Sequence, residues 1–112
     1  MVEIVRSKAA PPVSEQPYAH LVAWRIVANG DDWFLLGYCQ ESKKYRITSP
    51  LKVIDLVNQT ATTSSSRRYQ LVGPPAIRGV TVDDDTDAAL VVLAWNFGVS
   101  DITEMVVDDP RH

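Results

Sequence analysis

Tyr18-Ala19-His20-Leu21-Val22-Ala23-Trp24-Arg25-Ile26-Val27-Ala28-Asn29-Gly30-Asp31-Asp32-Trp33-Phe34-Leu35-Leu36-Gly37-Tyr38-Cys39-Gln40 is the stretch that decides how this chain folds. Aromatic and branched residues crowd both halves, and such side chains suit a pleated strand. Between the halves stands Asn29-Gly30, two residues that tolerate the positive φ of a type I′ hairpin turn. A turn centred there sets Ile26 opposite Trp33, Trp24 opposite Leu35, Val22 opposite Gly37 and His20 opposite Cys39. The other face then carries Leu21, Ala23 and Arg25 against Phe34, Leu36 and Tyr38. Both faces are largely apolar. A hairpin with one wet face alternates polar with apolar residues, so this one is expected at the centre of its sheet, unless its second face serves a partner. A four-residue loop through Asp31-Asp32 would change every pairing.

Working outward, residues 41–44 form a polar turn and 45–48 a short third strand. Pro50 interrupts the ladder. Residues 51–58 read as a strand, or as a short helix opened by Ser49 with Pro50 first; the strand is preferred. Residues 59–66 are small and polar throughout and are expected as a mobile loop. A further strand spans 67–72 and ends at Gly73-Pro74-Pro75, since proline cannot donate to a ladder. Upstream, residues 1–6 alternate as an edge strand would, and three prolines make 7–17 an extended lead-in.

Beyond the sheet comes Asp83-Asp84-Asp85-Thr86-Asp87-Ala88-Ala89-Leu90-Val91-Val92-Leu93-Ala94-Trp95-Asn96-Phe97-Gly98. Carboxylates stabilise the amino end of a helix, and glycine suits the left-handed residue past its carboxyl end. The spacing predicts a helix over 84–97, apolar on nearly every side and therefore packed on the sheet. Leu90, Val91, Leu93, Ala94, Trp95 and Phe97 would meet Trp24, Ile26, Trp33, Leu35 and Val53. After it, Asp101 and Glu104 have capping-box spacing, although 105–107 could finish as a strand. Residues 108–112 are expected to fray.

The 112 residues suit one domain, 1–112, with an apolar fraction of 46% that supports an ordinary core. The expected class is α+β: a curved antiparallel sheet of four to five strands over 18–73, packed by one C-terminal helix. No apolar run reaches the ~20 residues of a membrane span, and the amino end lacks the order of a signal peptide. A cytoplasmic protein with no membrane partner is expected. Cys39 is the single cysteine, which excludes a disulfide framework or a thiolate metal cage within one chain.

The net charge of −3 is unevenly spread. Residues 1–80 carry a surplus of cations and 81–112 a surplus of acids. Asp83, Asp85 and Asp87 have the alternate spacing of a calcium loop, but Ala88 replaces its glycine and Ala94 its bidentate acid. Capping explains these acids without a metal. No catalytic residue, cofactor or metal site is therefore assigned.

Three functional readings remain. The preferred one is a small non-enzymatic protein-interaction module, of the accessory or inhibitory kind found in bacteria and phages. Its partner is unknown, either another protein or a second copy in a homodimer. The interaction face would be Leu21, Arg25, Phe34, Leu36 and Tyr38. The second is nucleic-acid binding through Lys43, Lys44, Tyr45, Arg46 and Arg67, Arg68, Tyr69, where cations could meet phosphates while a tyrosine stacks on a base. The third is a small Cys/His enzyme working through Cys39 and His20.

Overall fold

The computed structural model describes residues 12–75 and 96–107, together with the backbone of 4–6. Within them the chain is α+β, mostly sheet with one short C-terminal helix. The strands are β1 Ile4–Arg6, β2 Tyr18–Asn29, β3 Asp32–Cys39, β4 Lys44–Ile47, β5 Leu51–Asp55, β6 Thr60–Thr63, β7 Arg68–Val72 and β8 Ser100–Asp101; α1 spans Thr103–Val107. They form one open sheet in the order β1-β4-β3-β2-β7-β6-β5, and β8 pairs with β2 off this path.

Among the described residues eight strands replace the four to five expected, and the sheet is mixed rather than antiparallel. β1 runs parallel to β4, and β7 runs parallel to β2. The β5–β6–β7 meander carries the chain across before β7 docks beside β2, which supplies the long crossover that a parallel pair needs. The expected loop at 59–66 contains β6. Its three threonines are β-branched and fit a half-buried pleat, with Ala61 and Thr63 buried. Residues 12–16 make a turn instead of an extended lead-in, with the N–H groups of Glu15 and Gln16 both donating to the Pro12 carbonyl.

The hairpin is central, as its two apolar faces implied, but its register differs. Asn29 pairs with Asp32, so the turn residues are Gly30 and Asp31. Gly30 has φ +61° while Asp31 stays outside the positive region, the type II′ pattern. Ile26 therefore opposes Leu35, not Trp33. A bulge between Val22 and Arg25, with Ala23 at φ +51°, then shifts the pairing again and sets Leu21 opposite Cys39. Inserting one residue flips the faces. As a result Ala19 and Leu21, before the bulge, share one core with Trp24 within it and Ile26 after it.

That core also takes Leu35, Cys39, Ala61, Tyr69, Leu71 and Val106 of α1. Val27, Leu36 and Val99 form a smaller cluster, with Phe34 and Ile47 packed against it. Of the sheet residues expected to receive a helix, Trp24, Ile26 and Leu35 are buried and Trp33 half-buried, whereas Val53 is exposed. Asn96 and Phe97 are helical and Gly98 follows at φ +66°, which fits the expected helix end. Phe97 is exposed rather than packed on the sheet. Residues 84–95 of that helix, the acids 83–87 and the tail 108–112 lie outside the described residues. No described helix is long and apolar enough to cross a membrane.

Gly37 lies where β3 passes the bulge. A Cβ there would meet Leu21 Cβ at 3.2 Å, the Val22 carbonyl oxygen at 3.3 Å and Trp24 Cα at 3.4 Å. Two of these are backbone atoms and cannot swing aside. Gly37→Ala should cost about 1–3 kcal/mol through overpacking; an unchanged urea midpoint would show that the bulge has slack.

Candidate functional site

The two basic-aromatic clusters come apart in the fold. Lys43, Lys44 and Arg68 are exposed, but Tyr45, Arg46, Arg67 and Tyr69 are buried. Tyr45 packs edge-on against Tyr38, with ring centroids 5.6 Å apart. Arg46 Nη1 donates to Gln16 Oε1 at 3.1 Å and Arg67 Nε donates to the Gln16 carbonyl at 3.0 Å. β4 lies between β1 and β3, and the adjacent Tyr45 and Arg46, on opposite faces of the strand, are both covered. Arg67 and Tyr69, two positions apart, share a buried side. The four buried residues therefore cannot stack on or clamp a strand from outside. Of the exposed cations, Arg68 lies over the Tyr18 ring, 5.9 Å from its centroid, at a cleft of about 210 Å³ with Thr60, Thr62 and Gln70.

His20 and Cys39 are not cross-strand partners, because the bulge pairs Leu21 with Cys39. They meet through Glu41, in the polar turn after β3, where no local pattern marks it out. His20 Nδ1 lies 2.5 Å from Glu41 Oε2, the His20 N–H donates to Oε1 at 2.7 Å, and Cys39 Sγ donates to Oε1 at 3.6 Å. Burial pushes the Glu41 carboxyl up, but the His20 backbone and imidazole bonds outweigh it and hold the group below its ordinary value. A carboxylate-oriented imidazole is one half of a nucleophile-activating pair. The other half is missing from this cluster: the Cys39 thiol is shut away from water.

The expected interaction face is mostly interior. Leu21, Arg25 and Leu36 are fully buried, and Phe34 and Tyr38 are half-buried. Leu21 is turned into the core by the bulge, Leu36 packs with Val27 and Val99, and Arg25 is neutralised by Asp101 of β8 and Glu104 of α1. Its Nε and Nη2 donate to Asp101 Oδ2 at 3.0 and 2.8 Å, and Nη2 reaches the Glu104 oxygens at 2.7 and 2.8 Å. Asp101 turns its other oxygen to the Thr103 N–H at 3.0 Å. It thus supports the start of α1, while Glu104 faces Arg25 instead of closing a capping box. The stretch at 105–107 is accordingly helix.

Apolar surface gathers instead around β5 and the turn after it. On one side a cleft of about 380 Å³ is lined by Trp33, Leu51, Val53 and Ile54, with Asp31 and Lys52 also on its wall. On the other, a cleft of about 310 Å³ lies among Trp24, Leu56, Val57, Pro74, Pro75 and Val107. Val53 is 60% and Val57 82% exposed. In the turn the Asn58 backbone and side-chain nitrogens both donate to Asp55, and these bonds hold its carboxyl below the usual range. Among the described residues no three His, Cys, Asp or Glu side chains converge as metal ligands would. Comparison with protein-family models, curated proteins and solved structures found no match to this chain.

Proposed function

We propose that this chain is a non-enzymatic protein-interaction module that receives an extended segment of a partner protein along the outer edge of β5. The observation carrying this reading is the state of that strand. Among the described residues β5 pairs with β6 alone, so its outer backbone groups have no ladder neighbour there, and Val53 stands exposed in the cleft facing Trp33. A strand edge beside apolar pockets is the arrangement used in β-augmentation, where main-chain bonds give affinity and alternate side chains give selectivity. Lys52 and the irregularity between Leu51 and Val53 discourage indiscriminate pairing with another edge. That protection favours a partner strand with its own complementary side chains over a second copy of this chain.

Selection of phage-displayed random peptides on the purified chain tests the proposal. Recovered peptides should alternate apolar residues and perturb the amide signals of residues 51–55 and the Trp33 indole. Val53→Lys should weaken them at least about tenfold, the effect of losing one anchoring side chain, with the thermal midpoint unchanged. Binders whose footprint avoids β5, or an absence of binders, would refute the assignment.

A further inference from the structure

We infer that Arg46 holds a single small oxyanion, of the carboxylate or phosphate type, as a buried counterion. The side chain is fully buried, and its one hydrogen bond among the described residues runs from Nη1 to Gln16 Oε1. Among the described residues Nε and Nη2 have no hydrogen-bond partner. These two nitrogens form one edge of the planar guanidinium, where their N–H bonds run side by side. That edge is the fork that takes both oxygens of a carboxylate, or two of a phosphate, in parallel bonds. The one nitrogen outside the fork is the one already engaged.

The surroundings sharpen the need for an anion. Both neighbours of β4 are in place, with Gly37 and Val5 at the Arg46 register, so the backbone is satisfied while the charge is not. Arg67 adds a second buried guanidinium on the same glutamine, through the Gln16 carbonyl. No carboxylate among the described residues pairs with Arg46. A cation removed from water without a counter-charge is costly enough that proteins rarely keep one. An oxyanion in the fork supplies the missing charge and both missing acceptors at once. This site is independent of the β5 edge.

The test is refolding from urea in sodium formate, sodium phosphate or sodium chloride at matched ionic strength, because a buried anion is best loaded during folding. In the wild-type chain the midpoint should rise with formate or phosphate but not with chloride. Each tenfold increase in free anion above its dissociation constant should raise the folding constant tenfold. The salt that acts tells carboxylate from phosphate. Arg46→Met should abolish the response. Equal midpoints in all three salts, or a response that survives Arg46→Met, would overturn the inference. Should that variant not fold, the Arg46 Nε–H resonance of the wild-type chain decides: movement with formate or phosphate supports the site, and an unchanged signal refutes it.

Discussion

Asp101→Ala is expected to destabilise the chain by about 3–5 kcal/mol, because it leaves a buried guanidinium short of its main counter-charge. Arg25 is 1% exposed, and both of its bonds to Asp101 end on Oδ2. Oδ1 meanwhile accepts from the Thr103 backbone and hydroxyl, at 3.0 and 2.6 Å. The Thr103 hydroxyl oxygen in turn accepts the Ile26 N–H at 2.8 Å. One carboxylate thus neutralises β2 and anchors the start of α1. Glu104 reaches the same guanidinium, yet its side chain is 68% exposed and water screens it. Glu104→Gln should therefore cost less than about 1 kcal/mol. The Glu104 contribution also carries a pH signature. The bond from Arg25 holds the Glu104 carboxyl below its ordinary 4.5. A carboxyl depressed on folding contributes fully above that ordinary value and loses its contribution as pH falls through the lower, folded one. The acid limb of stability should begin below 4.5 and flatten in Glu104→Gln. A loss under about 1 kcal/mol for Asp101→Ala in urea would mean that Arg25 is solvated after all.

Much of this architecture can be read from residue types, and the failures have identifiable causes. The hairpin, its central place and the strands near 44–47, 51–55 and 68–72 follow from aromatic and branched runs punctuated by Gly, Pro and polar turns. The register does not. Asn29-Gly30 and Gly30-Asp31 are both chemically reasonable turns, and a few tenths of a kcal/mol in turn preference is outweighed by the side-chain packing across the whole ladder. The bulge is less legible still, because alanine rather than glycine takes the positive φ at position 23. Its one sequence trace is Gly37 on the facing strand. β6 was hidden by composition: Thr-Ala-Thr-Thr is polar enough for a loop and branched enough for a strand, and only the neighbouring strands choose. The Arg25 pairing joins residues more than seventy positions apart, beyond the reach of any local pattern. Arg46 shows the same limit from the other side. A cation beside a tyrosine looks like a surface cluster until its strand is covered on both faces.

Trp24→Ala should cost about 3–5 kcal/mol, comparable with losing Asp101 but through apolar volume instead of charge. Trp24 is 3% exposed, belongs to the main core and lies within the bulge, so the bulge is what delivers its ring to that core. Its indole N–H donates to the Gly73 carbonyl at 3.1 Å, tying β2 to the end of β7. Trp24→Phe separates the two contributions. It keeps most of the ring contact and removes the donor, so it should cost about 1 kcal/mol beyond the lost volume. The carbonyl is not abandoned, because the Gln59 amide, in the orientation that satisfies both of its atoms, also reaches Gly73 at 3.0 Å and Leu71 at 2.8 Å. Gln59 itself sits at φ +55° in the turn leading to β6. Trp24→Phe and Gln59→Ala together should therefore cost more than the sum of the single changes, since only the pair leaves Gly73 unpartnered by either side chain. Strict additivity in urea melts would mean that water serves this carbonyl. In that case the wall of the cleft beside Val57 would be wetter than its apolar lining suggests.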